Sequence, residues 1–279
     1  MIRWFTATTA LLLAAPAWAQ ISVRLDLERD RYVLYEPMIA TVEVSNYNAS
    51  ELQLADQEST PWLRFDIYRS NGEYISAVGP GFLAGSVAVP PNQTRARSAN
   101  LVAYYKIRDP GKYRVRALVK IAGGSGSFAS REQVIEVVVG RTILTKPAGF
   151  KDESGKDNLR NHMVLEARLG SQVWLYARTE DHSGDTIYGV VPLGEWVTFS
   201  APTAATDRNG NLHVLHQAHP RLFRYSIISP NSAVLGRDSF SNHNSVPELR
   251  RGEDGAVKVV GGERMSRPLA PVPSLPKSP

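Results

Sequence analysis

Apolar and polar residues alternate along most of the chain from Ile21 onward. In the stretch Ile21 to Leu27, every second residue is apolar and the residues between are polar. A period of two is typical of a strand that buries one face. Apolar spacing of three and four, which is typical of amphipathic helices, is almost absent. The pattern predicts an all-β protein with little helix.

Turn residues divide this pattern into short strands up to Gly140. The sequence Ser70-Asn71-Gly72-Glu73 predicts a hairpin, because Asn and Gly both tolerate positive φ. The spacing of the strands is typical of a β-sandwich. The predicted strands are Ile21 to Leu27, Ile39 to Val44, Trp62 to Tyr68, Tyr74 to Val78, Ser98 to Ile107, Tyr113 to Ile121 and Gln133 to Val139.

Two segments of this region resemble a known class of domain. Tyr32 to Asn46 reads YVLYEPMIATVEVSN and contains a Tyr-x-x-x-Glu-Pro corner, and Asp109 to Val119 reads DPGKYRVRALV. Together they resemble bacterial immunoglobulin-like domains of the macroglobulin or protease-inhibitor type. The resemblance covers residues 20–140 and implies an immunoglobulin-like β-sandwich. The resemblance assigns no catalytic residue to this chain, because such domains host many functions.

The rest of the chain is predicted to form a linker and a second, mainly antiparallel β domain. Residues 141–163 are rich in Lys, Gly, Asp and Asn, which favours a linker. A short helix over Asp157 to Leu169 is an alternative. In residues 164–265, Gly170, Gly210 and Gly255 each precede an apolar strand and are separated by 40 and 45 positions. This spacing resembles β-propeller repeats, although glycine turns before strands are common in any all-β domain. The region has room for little more than two blades, so one chain cannot close a ring.

The N-terminal residues predict an exported protein. Residues 1–19 combine Arg3, the apolar stretch Phe5 to Ala15, and Ala17-Trp18-Ala19 as a cleavage site. They predict a signal peptide cleaved near Ala19, and hence a periplasmic or secreted protein. No later apolar run is long enough for a membrane helix. Residues 266–279 are Pro-rich and predict a disordered tail. The chain contains no cysteine, so disulfides and lipid attachment are excluded.

The charged and titratable residues indicate no specific chemistry. The net charge of +5 is spread without a dense run of Lys and Arg, so nucleic acid is not an expected partner. His213 and His216 would point to opposite faces of a strand, which argues against a metal site. The acidic loop from Glu180 to Asp185 does not match a calcium loop, and is interpreted as a hairpin tip. Phosphate-binding, dinucleotide-binding and Gly-x-Ser-x-Gly motifs are missing, so no cofactor is predicted.

Aromatic residues remain as candidates for binding. They combine a large apolar face with a polar group, so they could stack on sugars or contact a protein, although in strands they more often belong to the core. Tyr104 and Tyr105 are adjacent, so one of the two should face outward. The candidate binding residues are Tyr104, Tyr105, Trp174 and Tyr176.

These observations favour a non-enzymatic binding or structural module that acts through protein–protein contacts in the bacterial envelope. Its partner would be another envelope protein or an extracellular glycan. The resemblance implies one specific form of this binding function, namely inhibition of a protease by a loop of the sandwich. The alternative is a hydrolase or lyase acting on polysaccharide or peptidoglycan. That reading requires one set of residues to converge in a pocket: Glu180, Asp181, His182, Asp185, His213 and His216.

Overall fold

The protein is built almost entirely from β-strands, as the alternating pattern predicts. The computed structural model describes residues 21–57, 60–121, 126–152 and 154–265. The predicted signal peptide and Pro-rich tail lie outside these residues. The sheets are mainly antiparallel, and one four-residue helix is present in the described part of the chain. The all-β fold class is therefore confirmed. No helix among the described residues has the length and apolar character needed to cross a membrane.

Residues 21–138 form a two-sheet structure that we call the sandwich. Its elements are β1 (Ile21–Leu27), β2 (Arg31–Val33), β3 (Ile39–Asn46), β4 (Leu52–Leu54), β5 (Leu63–Arg69), β6 (Val87–Val89), β7 (Gln93–Asn100), α1 (Leu101–Tyr104), β8 (Gly111–Lys120), β9 (Ser127–Ala129) and β10 (Gln133–Val138). One sheet has the order β1-β3-β7 and the other β2-β10-β8-β5, with β9 beside β8 and a separate β4–β6 pair. Strands β2 and β10 are parallel, and every other pair in the sandwich is antiparallel.

The two sheets of the sandwich enclose one continuous apolar core. Leu25 and Val42 from the first sheet and Phe65 and Val115 from the second belong to the same buried cluster. Buried and partly exposed residues alternate along β3, as the period-two pattern predicts. Burial of these apolar side chains is the main stabilising contribution to this half of the molecule.

Residues 141–265 form a series of sheets that we call the stack. Its strands are β11 (Arg141–Lys151), β12 (Asp157–Leu169), β13 (Gln172–Asp181), β14 (Ile187–Glu195), β15 (Thr203–Thr206), β16 (Leu212–His219), β17 (Leu222–Ile228), β18 (Val234–Ser241), β19 (Glu248–Arg251), β20 (Val257–Val260) and β21 (Glu263–Arg264). The sheets are β11-β12-β13-β14, β15-β16-β17-β18-β21 and the pair β19-β20. The first four strands of each larger sheet form an antiparallel meander, in which consecutive strands are neighbours, as in propeller blades, and β21 joins the second sheet beside β18.

The linker predicted over residues 141–163 is wrong, because these residues form β11 and the first half of β12. The two strands pair from Arg141 opposite Glu166 to Lys151 opposite Asp157. Strand β11 lies at the edge of its sheet and buries few side chains, so its sequence lacks apolar periodicity. An edge strand also tolerates Pro147, which cannot donate to a central ladder. The alternative helix over Asp157 to Leu169 is wrong too, since this segment is one 13-residue strand.

The sheets pack face to face in chain order, which gives a propeller-like arrangement. On β2, Tyr32 points into the sandwich core, and Val33 packs against Trp174 and Tyr176 of the stack. Leu175 and Leu212 belong to the cluster between the first two stack sheets. A further cluster joins the second stack sheet to the β19–β20 pair.

Among the residues that the structure describes, five hairpins share the same turn, and four of them carry glycine at the same position. In each, the first residue donates to the carbonyl of the fifth, and the fourth donates to the carbonyl of the first. The fourth residue has positive φ, as expected for a three-residue hairpin loop. Gly210 and Gly255, singled out by their spacing, both occupy this position. The fourth residues are Gly72, Gly155, Gly210, Ser232 and Gly255.

Candidate functional site

A cleft lies where the sandwich meets the stack, and we call it the junction cleft. Its volume is about 650 Å³, which lies within the usual range for ligand sites, and such sites often occur between domains. The sandwich supplies Tyr35, Pro37, Val78 and residues in the segment 100–108. The stack supplies residues 185–191 together with the tip of the β17–β18 hairpin.

The stack wall of the junction cleft is the open edge of β14. Asp185 and Thr186 precede β14, and all five strand residues from 187 to 191 line the cleft, although side chains alternate between the two faces of a strand. A continuous run of this kind shows that the cleft follows the edge of the strand. Strand β14 is the last in its sheet. Within the described part of the chain, residues 187–191 form no backbone-to-backbone hydrogen bond outside their own sheet.

Backbone strain is found on both walls of the cleft. Among the described residues other than glycine, three have positive φ, and two of them, Tyr35 at 69° and Ser232 at 63°, line the junction cleft. Such conformations cost on the order of 1–3 kcal/mol each and persist only where the surroundings enforce them. Ser232 occupies the hairpin position that glycine fills in the other four turns. Its hydroxyl donates to the Gly189 carbonyl over 3.4 Å, and Gly189 leaves room for this approach because a Cβ there would lie 2.9 Å from Ser232.

A buried ion pair holds Tyr35 and the adjoining corner in place. Glu36 is fully buried, and its carboxylate accepts from the Arg29 guanidinium at 2.5 Å and from the Val33 amide at 2.9 Å. The Arg29 amide donates to the Tyr32 hydroxyl at 3.1 Å. These contacts explain the Tyr-x-x-x-Glu-Pro corner found in the sequence.

The same ion pair links the two halves of the molecule. The Arg29 guanidinium donates to the hydroxyl of Tyr176, on β13 of the stack, at 3.5 Å. Burial alone would lower the pKa of Arg29, but the Glu36 carboxylate beside it outweighs this effect and raises it. Burial also raises the pKa of Tyr32 to about 12. The corner is thus a charged but fully partnered support beneath one wall of the cleft.

A second depression adjoins the junction cleft at the hairpin end of the stack. Its volume is about 570 Å³ and its lining includes Arg160 and Asn231. Asn231 also lines the junction cleft, so the two are neighbours. The Arg160 guanidinium lies 3.9 Å from the centroid of the Tyr188 ring and 5.1 Å from that of Phe150. This cation–π contact fixes Tyr188, which is 40% exposed, at the edge of the cleft.

The predicted binding aromatics lie mostly inside the protein. Trp174 and Tyr176 are buried between the sandwich and the stack, so they are core residues that offer no surface to a ligand. Tyr105 is buried in the sandwich core, and its hydroxyl accepts from the Phe65 amide at 2.8 Å. Tyr104 is the outer member of the adjacent pair and packs against Phe82. Of these four residues, only Tyr105 contributes to the wall of the junction cleft.

The acids and histidines considered for catalysis are spread over separate parts of the stack. Glu180 is buried and pairs with Arg178. His213 lies 2.6 Å from the Tyr225 hydroxyl, and its Nε2 lies 3.2 Å from the Asp207 carboxylate. Val214 next to it belongs to the cluster against the first stack sheet, so His213 and His216 face opposite sides of β16. No group of metal-ligating residues forms among the residues that the structure describes.

Comparison with known proteins adds no assignment. No family model, curated protein or solved structure matches this chain. The candidate site is therefore defined by geometry. Sequence patterns missed the open edge of β14, because the position of a strand in its sheet depends on pairing between distant segments. The one local signal of an unusual turn is the serine at position 232, where the equivalent hairpins have glycine.

Proposed function

We propose that the protein is an exported, non-enzymatic binding module that holds an extended segment of an envelope partner protein in the junction cleft. The observation that carries this proposal is the run of residues 185–191, which places the open edge of β14 along one wall. An exposed strand edge can pair with a strand from another chain. The proposed export follows from the leader sequence in residues 1–19.

The mode of binding is addition of a strand to β14. The backbone of the partner segment would hydrogen-bond to the outer edge of β14 and supply affinity without a defined sequence. Alternate side chains of the segment would face the opposite wall, where Tyr35, Val78 and Val102 present partly apolar surface. Arg108 and Asp185 add one charge of each sign to the lining, which gives the site a basis for choosing among segments.

The architecture of the sandwich supports its assignment as immunoglobulin-like. Its strands divide as β1-β3-β7 and β2-β10-β8-β5. The Tyr113 hydroxyl, at the start of β8, donates to the carbonyl of Asp109 four residues upstream at 2.7 Å. This contact has the form of the tyrosine corner of immunoglobulin sandwiches. Such sandwiches commonly present edges and loops to partners, in agreement with a binding role.

The absence of cysteine from the sequence makes a clean crosslinking test possible. Tyr188→Cys places a single thiol beside the cleft, and Val260→Cys places one on β20, at a residue that is exposed to a similar degree. Each variant, labelled with a photocrosslinker, is irradiated in an envelope extract of the native host. We expect one protein partner to be captured at Tyr188→Cys and not at Val260→Cys. Equal capture at both positions, or capture of glycan alone, would contradict the proposal.

The captured segment then tests strand addition directly. Mapped by mass spectrometry and synthesised as a peptide, it should bind the mature protein in solution. Methylation of alternate backbone nitrogens in one register should weaken binding at least about tenfold, because each lost hydrogen bond leaves a buried group unpaired. Methylation in the other register, where the amides face away from β14, is the control. Equal affinities for the two methylated peptides would rule out pairing with β14.

A further inference from the structure

One face of the second stack sheet carries an unusual group of basic side chains, which we call the basic cluster. It consists of His216 on β16, Arg224 on β17 and Arg237 on β18. His216 is directly opposite Arg224. Arg237 is opposite Ser226, two residues along β17 from Arg224, so all three side chains lie on the same face. This face packs against the sheet β11-β12-β13-β14.

The basic cluster contains buried nitrogen atoms that have no partner. His216 is only 1% exposed, and neither of its ring nitrogens has a hydrogen-bond partner of good geometry. A backbone group of Glu195 lies close to the ring and opposes the effect of burial on its pKa. The Nε atoms of Arg224 and Arg237 are also buried without a partner. Buried polar atoms in native proteins are hydrogen-bonded in the great majority of cases, so four such atoms at one place need an explanation. A group with acceptor oxygens would satisfy the Nε–H donors of both arginines.

The charges around the basic cluster do not balance. The Glu195 carboxylate on β14 attracts the positive charge of Arg224. The same carboxylate also accepts a hydrogen bond from Gln172 at 3.0 Å and lies 3.7 Å from His219, so it is shared among three groups. Arg237 is repelled by the positive charge of Arg224.

The pKa shifts agree with this lack of balance. Burial lowers the pKa of both guanidinium groups. Burial, aided by the charge of Arg224, lowers the pKa of His216 to about 3. A water molecule could satisfy a free N–H group, but it would not offset the surplus positive charge.

We propose that the basic cluster binds an oxyanion between the two stack sheets. The guanidinium groups of Arg224 and Arg237 present planar donor sets that suit carboxylate, phosphate or sulfate oxygens. Neutral His216 supplies one further donor from its N–H. The Arg237 guanidinium is held in place by one hydrogen bond, which its Nη2 donates to the Pro192 carbonyl at 2.7 Å.

Two sources could supply the oxyanion. One is a free inorganic anion. The other is a carboxylate carried by a protein segment, because Pro192 directly follows Val191, which lines the junction cleft. The shared chemistry is an anionic group with two or more oxygen atoms. The oxyanion would be bound by side chains of the second stack sheet, whereas strand addition would use the backbone of β14.

Thermal unfolding of the mature protein tests the proposal. Inorganic phosphate and sulfate are titrated separately against chloride at constant ionic strength, and the dissociation constant follows from the rise in Tm. We expect the unfolding temperature to rise with phosphate or sulfate, with saturation. Arg237→Met removes the charge but keeps the apolar stem, and it should weaken binding at least about tenfold. Arg250→Met, on β19 and mostly exposed, makes the same change in net charge and should leave the dissociation constant unchanged.

Further titrations identify the source of the oxyanion and define the results that would overturn the proposal. Acetate, and a peptide with a free C-terminal carboxylate, are titrated in the same way. Saturation by a carboxylate alone, lost in Arg237→Met, supports the oxyanion site and assigns it to a protein segment. Absence of saturation with every anion would overturn the proposal, as would equal saturation in Arg237→Met. Either failure leaves the crosslinking test of the junction cleft unaffected, because that test does not involve the basic cluster.

Discussion

The molecule contains two buried groups of charged side chains, and they differ in how completely their atoms are partnered. In the sandwich, the Arg29 guanidinium is paired with Glu36, and both carboxylate oxygens of Glu36 accept hydrogen bonds. In the stack, the basic cluster leaves four buried nitrogen atoms without partners. A partnered buried charge is explained by the fold alone, whereas the unpartnered donors need a further explanation, for which we propose a bound oxyanion.

The same contrast extends to the two halves of the chain. The sandwich has one large apolar core, whereas two smaller clusters lie between the layers of the stack and a third joins the stack to the sandwich. Every buried side-chain atom that lacks a partner, within the described part of the chain, belongs to the stack: Arg160, Arg178, Asp181, His216, Arg224 and Arg237 carry them. The difference agrees with the proposal that the stack, and not the sandwich, carries a binding site at some cost in stability.

The largest effect is expected from breaking the ion pair of the sandwich. Glu36→Gln leaves the Arg29 charge buried without a counter-charge, and we expect the free energy of unfolding to fall by about 3–5 kcal/mol. Urea unfolding followed by tryptophan fluorescence measures it. Glu43→Gln is the control, since Glu43 pairs with Arg24 at the exposed surface over 3.9 Å, and there we expect a loss below about 1 kcal/mol. Similar losses of unfolding free energy in the two variants would show that the buried ion pair contributes no more to stability than the exposed one.

An intermediate effect is expected from His216 in acid. Its pKa of about 3 in the folded protein lies below the ordinary value near 6.5. Between these values the unfolded chain binds a proton that the folded chain does not, so stability decreases as the pH falls from 6.5 towards 3. The contribution reaches up to about 1.4 kcal/mol per pH unit.

Replacing the ring isolates this contribution from those of other titrating groups. His216→Leu should give a shallower decline in unfolding free energy with falling pH than the unmodified protein, both measured in chloride buffer. His219→Leu, on the same strand but exposed, should decline as the unmodified protein does. Parallel curves for all three proteins would show that burial of His216 does not penalise its protonation.

The sequence predicts several strands of the sandwich, because local alternation marks them. Two predicted strands are wrong: Ser98 to Ile107 is a strand only as far as Asn100, after which α1 begins, and Tyr74 to Val78 forms isolated bridges instead of a strand. Alternation locates β1, β3 and β8, and Asn71-Gly72 locates a hairpin turn whose bond from Arg69 to Glu73 is present. The Tyr-x-x-x-Glu-Pro motif locates the corner beneath one wall of the cleft, but the motif alone does not show that Arg29 is the ion-pair partner of Glu36. That pairing depends on how the chain folds back on itself.

The sequence predicts less of the stack, because its main features depend on the order of strands and layers. The composition of residues 141–163 predicts a linker instead of β11, because an edge strand needs few apolar residues. The alternation of β16 separates His213 from His216 correctly, but it does not show that Arg237 joins His216 on one face. Trp174 and Tyr176 were candidates for binding because the sequence does not show that the sandwich covers them.

The smallest effect is expected from exchanging residues between two equivalent hairpin turns. Ser232 and Gly155 both occupy the fourth position of the turn and both have positive φ. Ser232→Gly removes the conformational strain, so we expect the free energy of unfolding to rise by about 1 kcal/mol. Gly155→Ser introduces the same strain at a turn where a Cβ would meet no atom within 4 Å, and we expect a fall of similar size. Urea unfolding with an unchanged slope measures both. If Ser232→Gly instead destabilises the protein, the contact of Ser232 with Gly189 outweighs its backbone strain, and the strain at this wall of the junction cleft is no evidence of stability exchanged for binding.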